Sequence, residues 1–95
     1  MCEGNALTEA DAYATAIGLL ARREHSAKEL SAKLHARGVE PKLAGKVLER
    51  LMTEQLQSDE RYAEAYMRQR SARGYGPVRI SGELRERGID ESLIV

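Results

Sequence analysis

The chain has 95 residues, no net charge, 32% charged residues, four tyrosines, a single cysteine and neither Phe nor Trp. That length admits one domain or two very small ones, with a thin core of Leu, Ala, Ile, Val and Met. One cysteine, Cys2, excludes an intrachain disulfide or a cysteine metal cluster and points to a reducing cytoplasm. No apolar run approaches the ~20 residues of a membrane span and no signal segment opens the chain, so no membrane association is expected.

Residues 1–7 read as an N-terminal tail. Thr8 before Glu9-Ala10-Asp11 is an N-cap with acids in the first turn, and Ala10, Tyr13, Ala14, Ile17, Leu20 and Ala21 then predict a helical face to about Arg23. Ser26 with Glu29 is a capping box that starts a second helix. It buries Ala27, Leu30 and Leu34 and stops at Gly38. Pro41 suits the first turn of a third helix, whose apolar face is Leu43/Ala44, Val47/Leu48, Leu51/Met52 and Leu56. Ser58 caps a fourth helix running to about Arg73, with Tyr62, Ala63, Tyr66 and Met67 inward. Pro77 starts a fifth with Ile80 and Leu84 inward, ended by Gly88. Asp90 caps a sixth that barely begins, and Leu93, Ile94 and Val95 are expected to lack most of their packing. With no alternating β-branched run, the fold class is all-α.

The six elements form two copies. At an offset of fifty, Leu30, Leu34, Gly38 and Val39 match Ile80, Leu84, Gly88 and Ile89. At an offset of forty-seven, Ala16, Leu19, Leu20 and Arg23 match Ala63, Tyr66, Met67 and Arg70. Three extra residues are therefore expected between Arg70 and Gly76. The reading is a tandem of three-helix repeats, one complete (8–56) and most of a second (57–95, its third helix short). Gly18 and Gly82 fall inside helices, where Gly costs about 1 kcal/mol relative to Ala. Close approach of a neighbouring helix would explain them, and so would chance.

Charge follows the same beat, with acidic lead-ins at 1–21 and 51–60 each followed by a basic block, 22–50 and 61–87. Between Glu64 and Glu83 lie Arg68, Arg70, Arg73 and Arg79 and no acid. At ~100° per residue, Arg70 and Arg73 project within about 40° of Tyr66, and Arg68 about 200° away. The four arginines therefore cannot make one flat patch. Arg70 either lies over the core or pairs with a carboxylate. Arg73, Tyr75 and Arg79, around Gly74-Tyr75-Gly76-Pro77, are the better contact candidates. Tyr75 either stacks on a base or fills a partner's pocket, or it packs inward. Asp59-Glu60 read as helix electrostatics, and Tyr62 and Tyr66 as core. His25 and His35 have no nucleophile or metal partner in the pattern, and no phosphate loop follows a strand. Neither catalysis nor a cofactor nor a small-molecule substrate is expected.

Three groups of residues carry a resemblance. They are AIGLLARREHSAKELSAKL at 16–34 with Gly38-Val39, then Asp59-Glu60-Arg61-Tyr62-Ala63, then Gly76-Pro77-Val78-Arg79-Ile80 with Glu83-Leu84 and Arg87-Gly88-Ile89. From about Ala10 onward the chain resembles the RecX family of bacterial recombination regulators. The resemblance implies tandem three-helix repeats without enzymatic activity. It also implies binding in the groove of the RecA filament on single-stranded DNA, which inhibits ATPase and strand exchange in DNA repair and recombination. Family members normally have three such repeats. Two alternatives stand beside this reading. One is an autonomous nucleic-acid-binding helical module, suggested by small three-helix units with an Arg-rich helix start. The other is a truncated remnant that folds without acting. Arg68, Arg73, Tyr75 and Arg79 are the candidate partner- or DNA-binding residues.

Overall fold

The computed structural model describes residues 8–94; the expected tail at 1–7 and Val95 lie outside the described residues. Five α-helices and one 3-10 turn follow in order: α1 Glu9–Arg22, α2 Ala27–Ala36, α3 Pro41–Thr53, α4 Asp59–Ala72, α5 Pro77–Glu86, and the turn Glu91–Leu93. No strand occurs among the described residues. The all-α tandem of three-helix units is observed.

Local chemistry accounts for the boundaries. Thr8 and Ser26 each make a full capping box, with Asp11 and Glu29, and Ser58 accepts from the Arg61 amide. Pro41 and Pro77 sit at the first position of α3 and α5, where no N–H is required. Asp90 caps the final turn through the Ser92 amide.

Two cores result. The first gathers Ala12, Ala16 and Leu19 of α1, Leu30 and Leu34 of α2, Val39, and Ala44, Val47 and Leu51 of α3. The second gathers Tyr62, Ala63, Ile80, Leu84 and Ile89. Within α1 the expected face is rotated: Ala10, Ala14 and Ala21 are exposed, and Ala12 and Ala16 are fully buried. Alanine tolerates either environment, so an alanine-rich helix leaves its buried stripe ambiguous until α3 arrives. Met52 and Leu56, expected inward on α3, are exposed. Leu93 and Ile94, expected to lack packing, lie half-buried against the second core.

Two further expectations fail. A Cβ on Gly18 or Gly82 would meet nothing within 4 Å, so no neighbouring helix demands either glycine. Gly18→Ala and Gly82→Ala should each stabilise the chain by about 0.5–1 kcal/mol, read from urea melts. The second failure is the three-residue insertion. Every element of the second unit begins fifty residues after its counterpart, and the 23–26 and 73–76 connectors are equally long. What differs is their path. Arg23 leaves α1 in an extended conformation, whereas Gly74, at φ +90°, turns the chain left-handed after α4.

A polar joint links the units. Asp59 Oδ1 accepts from the Ala27 amide at 2.8 Å and from Gln57 Nε2 at 2.9 Å, and Gln57 Nε2 also reaches the His25 carbonyl at 3.2 Å. The Tyr62 hydroxyl donates to Glu29 at 3.3 Å. His25, Ser26 and Gln57 are almost wholly buried there, and their partners are what makes burial tolerable. The His25 ring lies between the Arg23 carbonyl (Nδ1, 3.0 Å) and Lys33 Nζ (Nε2, 3.1 Å). A lysine can only donate, so Nε2 accepts and Nδ1 carries the proton.

Burial holds His25 below the usual histidine value of 6.5; the hydrogen bond to the Arg23 carbonyl opposes it, the nearby cations Arg23 and Lys33 add to it, and Glu29 offsets them least. The unfolded chain therefore binds this proton more readily than the folded one. Stability is full above pH about 6.5 and falls as pH drops towards the folded-state value. An NMR titration of the His25 ring should give a midpoint below 6.5; a midpoint at or above it would contradict the joint as described.

Candidate partner-binding surface

The glycine turn after α4 is a Schellman closure. The Tyr75 amide donates to the Arg70 carbonyl at 3.2 Å and the Gly74 amide to the Ser71 carbonyl at 2.9 Å. Such a closure brings the residue after the glycine back against the last turn of its helix. In this case the pair that meets is Tyr75 and Arg70, whose guanidinium carbon lies 4.0 Å from the ring centre. The Arg79 guanidinium lies over the same ring at 4.4 Å. The ring is half-buried against the second core. Of the two paths open to Tyr75, the structure takes the inward one, with cations over its π-face.

Glu83 holds the cluster together. Its carboxylate accepts from Arg70 Nε and Nη2 at 3.1 and 3.0 Å, from the Tyr66 hydroxyl at 2.7 Å and from Arg79 Nε at 3.3 Å. The Arg70 hydrogen bonds, then that of Tyr66, hold its carboxyl down to about 2. Arg70 thus pairs with a carboxylate, one of its two expected roles. Tyr62 and Tyr66 stack with ring centres 5.8 Å apart, and Arg87 lies 4.9 Å over Tyr66. The edge of the second unit is a ladder of rings and guanidinium planes.

The candidates separate accordingly. Tyr75 and Arg79 are together. Arg73 caps α4 beside them and is exposed. Arg68 is exposed on α4, outside this cluster. The side chain of Arg79 is 62% exposed, and its one ion pair among the described residues uses Nε. Its two outer nitrogens thus remain for a carboxylate or phosphate. Val78 beside it is 87% exposed. Sequence reasoning missed Glu83, whose only signal was that it ends the acid-free stretch, and Asp59, whose second task in the joint has no local signature. No helix among the described residues is long and apolar enough to cross a membrane, and no group of three or more His, Cys, Asp or Glu among them could hold a metal ion.

Comparison with known proteins bears on both units. Residues 12–51 match the family description "RecX, first three-helix domain" and residues 58–95 "RecX, second three-helix domain". The chain is 49% identical over 79 residues to the Regulatory protein RecX of Xanthomonas campestris pv. campestris (strain B100), covering 83% of this chain and 49% of that protein. It is 48% identical over 94 residues to that of Halorhodospira halophila, covering 99% and 58%. The crystal structure of RecX from Lactobacillus salivarius superposes with a TM-score of 0.84 at 25% identity, covering 90% of this chain and 56% of that one. A second regulatory protein RecX superposes at 0.78 and 26% identity, covering 99% and 53%. The chain thus spans about half the length of the curated relatives it matches. Two RecX units, matched in order and over most of the chain, place this protein in the RecX family.

Proposed function

We propose that this chain is a non-enzymatic, cytoplasmic regulator of the RecA recombinase, dividing at 56/57 into its two repeats. It binds the RecA filament on single-stranded DNA and suppresses ATPase and strand exchange, by blocking subunit rearrangement or addition. The observation that carries the reading is the ordered pair of RecX units. The outer nitrogens of Arg79, the neighbouring Arg73, and Arg68 on the outer face of α4 supply contacts to filament carboxylates or phosphates. Tyr75 contributes by holding Arg79 in place.

The test is RecA ATPase on single-stranded DNA as the chain is titrated in. Inhibition is expected, with Arg79→Glu raising the half-inhibiting concentration roughly tenfold, since it reverses a charge at the contact. No inhibition by a large excess of wild-type chain would sink the reading. Autonomous nucleic-acid binding is the weaker alternative, because acids interleave the basic blocks and cancel the net charge. A salt-sensitive gel shift without RecA would favour it.

A further inference from the structure

The start of α2 in the first unit covers the end of α5 in the second. Beside that contact a cleft of about 350 Å³ remains, lined by Tyr62, Ala65, Tyr66, Gln69 and Arg87 on one side and by Arg23, Glu24 and Glu29 on the other. The plug is the start of α2. Ser26 Oγ donates to the Arg87 carbonyl at 2.9 Å and Lys28 Nζ to the Glu86 carbonyl at 3.1 Å, while Glu29 lies 3.8 Å from the Arg87 guanidinium. Packing is tight enough that a Cβ on Gly88 would sit 2.7 Å from Lys28 Cβ. Two donors reach the free carbonyls at the end of α5, and one acid meets the arginine beside them.

Fifty residues upstream the equivalent helix end forms an open socket without such a plug. Thr15, Leu19 and Arg37 hold the positions of Ala65, Gln69 and Arg87, and with Ala14, Gly18 and Arg22 they line a cleft of about 240 Å³. A Cβ on Gly38, the counterpart of Gly88, would meet nothing within 4 Å. Arg22 and Arg37 are exposed and make no ion pair among the described residues. The carbonyls of Ala36 and Arg37, counterparts of Glu86 and Arg87, accept no hydrogen bond from a side chain among the described residues. Gly18 leaves the wall of α1 bare at a cost the fold itself does not require.

We propose that this open socket docks a helix start on a partner protein, one carrying a hydroxyl cap, a lysine two residues on and a glutamate three residues on, as Ser26-Ala27-Lys28-Glu29 does. The hydroxyl and ammonium serve the carbonyls of Arg37 and Ala36, and the glutamate pairs with Arg37 and Arg22. A second copy of this chain does not fit. Its own α2 start is occupied within its second unit, and its α5 start, Gly76-Pro77-Val78-Arg79, offers neither hydroxyl, ammonium nor carboxylate. Its α1 and α4 starts, Thr8-Glu9-Ala10-Asp11 and Ser58-Asp59-Glu60-Arg61, carry no lysine two residues after the hydroxyl. Nucleic acid fits less well, because its phosphodiesters bring no donor for the carbonyls.

This docking rests on the recombinase reading, with the helix start on a RecA subunit. The experiment compares wild type with Arg37→Glu in the ATPase assay and in binding to naked oligo-dT, after circular dichroism shows both folded. Arg37→Glu is expected to raise the half-inhibiting concentration roughly tenfold and to leave oligo-dT affinity within about twofold. A photoreactive benzophenone side chain at Ala14, on the rim, is expected to crosslink to the RecA polypeptide. Equal potency of Arg37→Glu and an inhibitory wild type overturns the socket alone. So does a parallel loss of oligo-dT binding, or crosslinking to DNA. A wild type that fails to inhibit overturns the recombinase reading itself.

Discussion

Leu84→Ala is expected to unfold the second unit while the first stays folded. Leu84 is fully buried in a core that has four other buried members, whereas the first core has nine. Truncating a buried leucine costs about 2–5 kcal/mol, a large part of the 5–15 kcal/mol that typically holds a whole domain together. The joint between the units consists of hydrogen bonds and ion pairs, whose net contribution is about 1 kcal/mol each, and it cannot offset such a loss. In hydrogen exchange, α4 and α5 should lose protection in the Leu84→Ala variant and α1 to α3 should keep theirs. If all five helices lose protection together, the two cores form one cooperative unit and this account of the joint is wrong. Leu34→Ala provides the converse, since removing the first core also strips the second of its plug.

The elements themselves were legible because their signals are local. Thr8, Ser26, Ser58, Pro41, Pro77, Gly38 and Gly88 each act within a turn of where they stand, and each stands where the chain changes direction. Leu30 and Leu34 of α2, Ala44, Val47 and Leu51 of α3 and Ile80 and Leu84 of α5 were legible from spacing, which wrongly added Met52, and the fifty-residue echo of Leu30-Leu34-Val39 in Ile80-Leu84-Ile89 holds in the core. The three-residue insertion failed for a physical reason. It came from matching Leu19 and Leu20 to Tyr66 and Met67, but the counterparts by position are Gln69 and Arg70. The last turn of α4 is polar, and its hydrophobic cover comes from Tyr75, folded back by Gly74. At the candidate surface, the grouping of Tyr75 and Arg79 followed from the glycine turn, and the separation of Arg68 from helix geometry. The Glu83 hub and the Asp59–Ala27 bond did not, since they join residues 13 and 32 positions apart and no short-range pattern encodes them.

Gly88→Ala and Gly38→Ala are expected to differ by more than either turn alone can explain. Both glycines close their helices in the left-handed region, at φ +81° and +90°, and both closures make the same pair of hydrogen bonds to the preceding turn. Placing Ala at such a φ costs about 1 kcal/mol, and for Gly38, whose Cβ would meet nothing, that is the whole expected effect. At Gly88 the new methyl would stand 2.7 Å from Lys28 Cβ and 2.8 Å from its Cδ. Lys28 Cβ cannot swing away, because it is fixed to the backbone of α2. The start of α2 must therefore withdraw from α5, stretching the Ser26–Arg87 and Lys28–Glu86 hydrogen bonds. Overpacking of this kind adds about 1–3 kcal/mol, so Gly88→Ala should cost about 2–4 kcal/mol in urea melts against about 1 for Gly38→Ala. Adding Lys28→Gly removes the obstructing Cβ, and coupling between the two substitutions would locate the excess in the joint. Equal costs for the two alanine variants would mean that α2 yields freely. The spacing between the Arg37 socket and the Arg79 edge would then not be held by this contact. If the excess appears, Gly88→Ala should also weaken filament inhibition more than Gly38→Ala under conditions where both remain folded, because only the former moves one contact surface relative to the other.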